Sequence, residues 1–473
     1  MVSVMVVDTV RTMWFKIVGT VLALLLLSML LVGTFGPATY EHSTISAYKC
    51  INDSHIWNDN SCIGQKLGDP GTFTLVWPET KFTTFNAFWN LVVFPFNKDY
   101  TINEEIIENL KLDISVFGKN DQLSDETFPI ETNKVVTEDL LCSTGSQSCW
   151  GFVVAFEDTI SYPYYYVNVS LPDTDNSAKQ YVGDVVFQFS WYTDSFTQEQ
   201  LSMRLIFLFT TTVLFFAFFF FLRTLPFEEW TIEQKWVIVL IISLVFFNNP
   251  FYPFEFLVGG WFFPTLDCFG QVVHISINLL FWLMIYDYYR RNEGMMTLKK
   301  EDIVKPVVLG IYAALSLALF LWFKLSHDFD PIFGDTQSSS GLVFLFFFCS
   351  LLFGAIIVWI IVIIMLAFPV VHKTPENAHR FYALTIPTII VLISIVGSLF
   401  FGSFGPVRRN APAFMYFFTL YNIYVWVIAF CFWPAKPNFS RASNPSEFSP
   451  IYKDEKPSDI FSGGAAEIDD DDL

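Results

Sequence analysis

The stretch that most constrains this chain is residues 236–254, which contain no charged side chain. Their first part has the composition of a membrane helix. Further on, Pro250 and Pro253 each remove a backbone donor, and Pro250 also disfavours helical geometry at Asn249. Because unpaired backbone groups in lipid are costly, the end of such a helix must face protein or water. The sequence therefore predicts a broken membrane helix with packing partners.

The overall composition indicates a polytopic membrane protein. Of the 473 residues, 53% are hydrophobic and 55 are Phe, which is far more apolar than a soluble globular chain. Most of the apolar segments reach the roughly 18–20 residues that span a bilayer. We predict eight membrane helices, at 17–32, 205–222, 236–247, 268–286, 306–323, and within 341–371, 381–407 and 410–435.

The distribution of Lys and Arg predicts the orientation of these helices. Basic residues are concentrated in the N-terminus, in alternate loops such as 287–305, and in the C-terminal tail. Cytosolic loops retain positive charge, so both termini are predicted to be cytosolic. The first helix is either a retained anchor, which we favour because no small-residue cleavage site follows it, or a cleaved signal peptide. The predicted domains are 1–35, 36–203 outside or lumenal, 204–433 and the tail 434–473.

The segment 36–203 has the features of a folded domain in an oxidising compartment. Four of the seven cysteines lie there, and four cysteines allow three pairings, of which Cys50 with Cys62 and Cys142 with Cys149 are the simplest. Two glycosylation sequons, at Asn52 and Asn168, lie in the same segment. No CxxC pair or His cluster accompanies the cysteines, so no metal site is predicted.

The same segment contains strand patterns. Residues 112–117, 151–156, 164–170 and 185–192 show period-two patterning and β-branched or aromatic content, and they are separated by Gly, Pro, Asn and Asp. In the last of these, Val185, Phe187, Phe189 and Trp191 share one face. We predict a β-sandwich close above the membrane helices.

This topology also predicts where the broken end of the third helix lies. It lies on the lumenal side, beneath the sandwich, and we predict a joint between the two domains and a candidate ligand mouth. The segment comprises Asn248, Asn249, Pro250, Phe251, Tyr252 and Pro253.

Three further polar residues lie within predicted helix cores. His274 and Asn278 are four residues apart and so share one helix face, and Asn422 lies in the last helix. Polar residues at membrane depth normally face the bundle interior. They either line a polar cavity or make a single interhelical hydrogen bond.

The net charge of −19 argues against a nucleic-acid partner. The tail is polar, Pro-rich and finally acidic, and is expected to be disordered and solubilising; trafficking adaptors are its candidate partners. The helices contain no nucleophile elbow, metal triad, phosphate loop or paired carboxylates, so neither enzymatic activity nor a cofactor is predicted.

Two segments carry a resemblance to a known family. EQKWVIVLIISLVFFNNPFYPFEFL at 233–257 resembles a pattern shared by Wntless and the transmembrane protein 181 family, and FFTLYNIYVWVIAFCFWPAK at 417–436 is similar to the latter branch in particular. The family's usual Asp-Pro at the break is Asn249-Pro250 here. The resemblance implies a GOLD-like β-sandwich on a seven-helix, receptor-like bundle with one extra N-terminal helix. It also implies residence in Golgi, endosomal or plasma membranes.

Three functions are compatible with this organisation. The first is a non-enzymatic trafficking or cargo receptor, whose sandwich captures a secreted or lipidated ligand while the bundle holds an apolar moiety. The second is a signalling receptor of the G-protein-coupled type, because Asp287-Tyr288-Tyr289-Arg290-Arg291 ends the third helix of the seven; snorkelling basic residues explain that motif equally. The third is a small-solute transporter, for which no inverted repeat is visible.

Overall fold

Two four-stranded antiparallel sheets form a β-sandwich in the N-terminal part of the chain. Their strand orders are β1-β8-β3-β6 and β2-β7-β4-β5. The four segments predicted as strands all lie in these sheets, so the predicted sandwich is confirmed. The strands are β1 Tyr40–Ser46, β2 Thr72–Trp77, β3 Trp89–Asn97, β4 Ile106–Lys119, β5 Phe128–Cys142, β6 Phe152–Glu157, β7 Tyr164–Ser170 and β8 Val182–Tyr192.

This architecture comes from a computed structural model of the chain. It describes residues 5–9, 12–36, 38–46, 72–77, 81–86, 88–97, 106–121, 126–144, 148–157, 160–170, 172, 181–258, 261–291, 300–329, 340–373, 375–400 and 411–434.

The sandwich core forms because alternate side chains of each strand point between the sheets. Phe187 and Phe189 of β8 are fully buried there. The ring of Trp89 stacks on Phe189 with centroids 5.1 Å apart and tilts against Tyr165 at 5.0 Å. Such aromatic pairs stabilise a core beyond their buried area.

A disulfide joins Cys142, at the end of β5, to Cys149. The predicted pairing of these two cysteines is therefore confirmed. Cys50, Cys62 and the Asn52 sequon lie outside the described residues. Asn168 lies on β7 with its side chain half-buried on the face away from the core, and its glycosylation stays a prediction.

The rest of the described chain is helical. Seven of its helices are long and apolar enough to cross a membrane. The helices are α1 Val6–Thr9, α2 Thr12–Phe35, α3 Asp194–Leu222, α4 Ile232–Phe247, α5 Tyr252–Glu255, α6 Phe262–Arg291, α7 Lys300–Phe329, α8 Ser340–Val371, α9 Pro375–Phe400 and α10 Ala411–Cys431.

Helix α3 begins well before the residue at which the apolar run begins. The sequence predicts a start at 205, but the helix begins at Asp194 because Thr193 caps it: the Thr193 hydroxyl accepts a hydrogen bond from the Phe196 amide and donates one to the Ala38 carbonyl. Since β8 ends at Tyr192, one residue connects the sandwich to the bundle.

Helix α4 ends where the sequence predicts. Its N-terminus has a capping box between Thr231 and Gln234, and its last helical residue is Phe247. Asn248 forms the C-cap, and Asn249 has a φ of 50°, a left-handed conformation that Asn tolerates better than most residues. The chain then turns into α5, which has Pro253 in its first turn.

The N-terminal segment packs against the far side of the bundle, which is the end at Leu222, Ile232 and Arg291. Met5 is fully buried, and the Val6 amide donates to the Trp433 carbonyl at 2.9 Å. Helix α2 follows and packs against α10. Its described apolar part, Gly19–Val32, is shorter than the seven long helices.

Candidate functional site at the sandwich end of the bundle

A buried ion pair lies between α3 and α6 at the sandwich end of the bundle. The guanidinium of Arg204 makes two hydrogen bonds to the carboxylate of Asp267, at 2.5 Å and 3.2 Å. The two side chains are only 2% and 0% exposed. A charge pair at membrane depth is costly to desolvate and normally marks a functional position.

Two amides complete the hydrogen bonding of the Asp267 carboxylate. Asn249 donates to Oδ1 at 3.0 Å and Gln271, one turn further along α6, donates to Oδ2 at 2.9 Å. With the two bonds from Arg204, each carboxylate oxygen accepts two hydrogen bonds. The site is thus held from three elements: α3, the break after α4, and α6.

The position of Asp267 differs from the sequence interpretation. The Gly and Pro residues around it predict a loop, but α6 begins at Phe262 and includes Asp267 in its second turn. This explains the Asn at the break: the amide of Asn249 donates to Asp267, while its Oδ1 accepts from the Phe251 amide at 3.0 Å. A carboxylate at 249 would face that of Asp267, so the break requires a donor here.

Aromatic rings surround Arg204. Its guanidinium carbon lies 4.0 Å from the centroid of Tyr252, and 5.3 Å and 5.7 Å from those of Phe418 and Phe414 of α10. The Tyr252 hydroxyl donates to Gln200 Oε1 at 3.3 Å. Cation–π contacts of this kind strengthen when the cation is desolvated.

Three polar groups on this face of α3 have no hydrogen-bond partner among the described residues. They are the Thr197 hydroxyl, Nε2 of Gln200 and Nε of Arg204. Because residues three and four apart in a helix are neighbours, the three side chains follow one stripe of α3. All three are at most 3% exposed. Buried polar groups are nearly always satisfied in folded proteins, so a stripe of unpaired ones requires an explanation.

The predicted residue Asn422 pairs with the break from the other side. The side-chain amides of Asn422 and Asn248 exchange hydrogen bonds of 2.9 Å and 3.0 Å across 174 residues of sequence. Thr211 of α3 contacts both amides and also accepts from Trp426 Nε1 at 3.3 Å. This network joins α3, α10 and the end of α4.

His274 and Asn278 form a separate pair, and His274 lies about two helical turns after Asp267 in α6. His274 Nδ1 lies 2.8 Å from the Ser243 hydroxyl of α4, and His274 Nε2 lies 3.0 Å from Asn278 Nδ2. The Ser243 hydroxyl donates to the Leu240 carbonyl, so a neutral imidazole with its proton on Nδ1 fits both contacts of His274. The interhelical hydrogen bond is present, and a polar-lined cavity stays a prediction.

Ionic contacts join α6 and α7 at the far side of the bundle. Asp287 contacts Arg290, Arg291 and Lys305, at 2.5–2.7 Å. Asp302 accepts from Arg291 and Lys305. The Asp-Tyr-Tyr-Arg-Arg motif therefore holds two neighbouring helices together.

The sandwich meets the bundle close to the Arg204–Asp267 pair. Phe196 of α3 is fully buried among the sandwich residues Phe88, Phe156 and Tyr192. The predicted joint segment, 248–253, makes its hydrogen bonds within the bundle. Just after this segment, the ring of Phe256 contacts the sandwich: its centroid lies 5.7 Å from that of Phe85.

A half-buried carboxyl group also lies at the end of β6 in the sandwich. Glu157 Oε2 accepts from Trp89 Nε1 at 3.0 Å. Burial raises the pKa of Glu157 to about 7, and hydrogen bonds from Tyr165, Trp89 and Ser161 oppose that rise. Burial also raises the pKa of Tyr165, whose hydroxyl accepts from the Ser161 and Tyr162 amides.

Sequence reasoning missed Arg204 and Asp267. Arg204 lies immediately before the apolar run that predicts a helix from 205, and Asp267 immediately before the predicted start at 268. A charged residue at the edge of an apolar run is normally taken to mark the end of the membrane helix. The available signal was the Thr193-Asp194 cap, which extends α3 by more than two turns.

Most of the helical region matches a known protein family. The profile of a family described as Wntless-like, transmembrane domain, matches residues 193–436, beginning at the cap of α3. Transmembrane protein 181 of Homo sapiens is 26% identical over 308 residues, which cover 62% of this chain and 63% of that protein. The chain thus matches less than two thirds of the length of that curated relative.

Proposed function

The chain belongs to the family with a Wntless-like transmembrane domain, and from that membership we propose that it is a non-enzymatic receptor for cargo or ligand. In this proposal the sandwich captures a secreted or lipidated ligand and the bundle takes up its apolar part.

One observation carries the proposal: the buried Arg204–Asp267 pair with unpaired polar groups beside it, on the helix whose Phe196 packs against the sandwich. A structural ion pair needs no such neighbours, because each unpaired buried polar group destabilises the fold by about 1–3 kcal/mol. A ligand-binding site tolerates that cost, because the ligand supplies the missing partners.

The proposed location is the secretory pathway or the plasma membrane, with both termini in the cytosol. The Cys142–Cys149 disulfide supports an oxidising compartment for the sandwich. Protease protection in sealed microsomes tests the orientation: the tail after 434 should be cleaved from outside the vesicles while the sandwich remains protected. Cleavage of the sandwich under the same conditions contradicts the proposed topology.

The receptor proposal is tested by purification. Full-length protein extracted with its native lipids should retain a stoichiometric apolar ligand or a secreted protein, identified by mass spectrometry. The variant Thr210→Val, altered at the exposed surface of α3, serves as the control and should retain the same ligand. Preparations that are repeatedly free of both kinds of ligand contradict the proposal.

A signalling receptor is the second candidate. It is favoured by the ionic contacts between α6 and α7, since Asp287 contacts three basic side chains at the far side of the bundle. Breaking them with Asp287→Asn should then raise guanine-nucleotide exchange on G proteins. Absence of exchange across a panel of G proteins, for both wild type and variant, removes this candidate.

A further inference from the structure

We propose that a row of polar side chains along α6 conducts protons through the bundle, an activity separate from the proposed receptor function. The row begins at the buried ion pair and ends beside a second buried carboxylate at the far side. Its members are three or four residues apart, so they share one side of the helix. The members of this α6 row are Asp267, Gln271, His274, Asn278, Trp282, Tyr286 and Tyr289.

The α6 row is long enough to cross a membrane. From Asp267 to Tyr289 the helix rises about 33 Å, at about 1.5 Å per residue, and the hydrocarbon core of a bilayer is about 30 Å thick. All of its side chains except that of Gln271 are at most 3% exposed. Helix α8, of similar length, has no charged, amide or imidazole side chain. Polar groups at membrane depth are costly, and chains of them mark ion paths and proton relays.

Each end of the α6 row is held by hydrogen bonds to a buried carboxylate. At the sandwich end, Asp267 accepts from Arg204 of α3 and from Gln271. At the far side, the Tyr289 hydroxyl donates to Oε1 of Glu233 in α4 at 3.0 Å, and Glu233 is 3% exposed. Carboxylates take up and release protons, so both ends have the chemistry to exchange them.

Hydroxyl groups of neighbouring helices continue the middle of the row. Trp282 Nε1 donates to the Tyr424 hydroxyl of α10 at 2.6 Å, and that hydroxyl lies 3.2 Å from the hydroxyl of Thr388 in α9. A hydroxyl group both donates and accepts, so it passes a proton on by accepting one at its oxygen and releasing its own.

Two buried groups on either side of Trp282 require a further partner. Oδ1 of Asn278 has no hydrogen-bond partner among the described residues. The Tyr286 hydroxyl lies beside Thr385 and Thr388 without closing a hydrogen bond to either. Buried polar groups that lack protein partners are normally satisfied by ordered water, which both donates and accepts. Water bound at these two groups continues the row on both sides of Trp282.

The burial of the row selects the proton over a larger cation. A metal ion crosses a membrane only where it keeps water or a ring of ligands around it, which requires an open pore. The buried members of the row are enclosed by protein instead. A proton needs no pore of that width, because it moves from one hydrogen-bonded group to the next.

His274 has the chemistry to relay a proton near the middle of α6. Its Nε2 contacts Asn278 and its Nδ1 contacts the Ser243 hydroxyl, so the ring bridges two polar neighbours. With the ring proton on Nδ1, a proton accepted at Nε2 is balanced by one released from Nδ1 to the Ser243 oxygen. The ring is then neutral again, with its proton on Nε2, and must return to its first tautomer before the next transfer.

Proton flux into proteoliposomes tests the path. Purified full chain is reconstituted into vesicles that contain the pH indicator pyranine, and a potential set by potassium and valinomycin drives protons inward. We expect internal acidification faster than in protein-free vesicles and proportional to the amount of protein. Replacing external sodium with N-methylglucamine should leave the flux unchanged, because the row passes protons only.

Two variants interrupt the row with little change of shape. Tyr286→Phe removes a single hydroxyl, and His274→Gln keeps a hydrogen-bonding side chain that does not take up a proton. Each should lower the protein-dependent flux at least about 10-fold. Tyr416→Phe is the matched control, because it removes a hydroxyl that bonds to Ser394, away from α6, and it should retain the wild-type flux. Melting temperatures of all variants are measured to show that a lost flux is not unfolding.

Two results overturn the proposal. The first is acidification by the wild type that equals that of protein-free vesicles. The second is a protein-dependent flux that is the same in Tyr286→Phe, His274→Gln and Tyr416→Phe, because the protons then cross by another route. A selective loss in folded Tyr286→Phe and His274→Gln supports the α6 row, whatever ligand the purified protein carries.

Discussion

Removing Arg204 tests whether the buried ion pair organises the sandwich end of the bundle. Arg204→Met preserves an unbranched side chain but removes both hydrogen bonds from Arg204 to Asp267, while those from Asn249 and Gln271 remain. Breaking a buried pair leaves an uncompensated charge, which costs about 3–5 kcal/mol. We expect a loss of that size in the free energy of unfolding.

The double variant gives the more specific result. Arg204→Met combined with Asp267→Leu removes both charges, and buried pairs replaced by apolar residues are often neutral in stability. We therefore expect the double variant to lose less stability than Arg204→Met alone. The coupling energy of the cycle should be at least about 2 kcal/mol, because the two side chains are in direct contact.

Equilibrium unfolding in mixed micelles, followed by tryptophan fluorescence, measures these differences. Arg290→Met is the matched control, because Arg290 also pairs with an aspartate but is 39% exposed. Loss of this exposed pair should lower the free energy of unfolding by less than about 1 kcal/mol. Equal losses for Arg204→Met and Arg290→Met, or additive losses in the double variant, refute the reasoning.

Three further predictions concern the break, the helix packing and the sandwich. Asn249→Asp should destabilise the bundle by about 1–3 kcal/mol, because it replaces a donor to Asp267 with a second carboxylate; Asn249→Gly, which retains the left-handed conformation, should cost less in the same unfolding assay. Gly270→Ala should cost about 1–3 kcal/mol, because its Cβ would collide with the Phe246 carbonyl oxygen; Gly310→Ala, in open space, should be neutral or stabilising. The raised pKa of Glu157 means that the folded sandwich binds this proton more tightly than the unfolded chain. The stabilisation is complete below the unfolded pKa of about 4.5 and is lost as pH rises through about 7, a change of about 3 kcal/mol. Glu157→Gln should abolish that dependence, and a wild-type stability that rises between pH 5 and 8 contradicts it.

Most of the fold follows from local sequence. Four of the eight described strands and the seven long apolar helices appear where periodicity and hydropathy predict them, because alternation and apolar length report directly on burial. The Cys142–Cys149 disulfide follows from its short spacing. The end of α4 is equally local, since Pro250 and Pro253 act on their own backbone and that of the preceding residue.

The candidate site follows from the sequence only in part. His274, Asn278 and Asn422 are recognisable as polar residues within apolar helices, and all three are buried. Their partners are not recognisable, because Asn422 bonds to Asn248 across 174 residues. A polar residue in a membrane helix predicts that a partner exists, but not which residue it is.

The sequence by itself determined that this chain spans a membrane, bears a β-sandwich and breaks its third predicted helix at Asn249-Pro250. Only the tertiary structure decided that the break lies against a buried ion pair. Hydropathy places Arg204 and Asp267 outside the membrane helices, because a lone charge is too costly in hydrocarbon. Packing of α3 against α4, and of α4 against α6, brings the two charges together, and the pair lies inside because each neutralises the other.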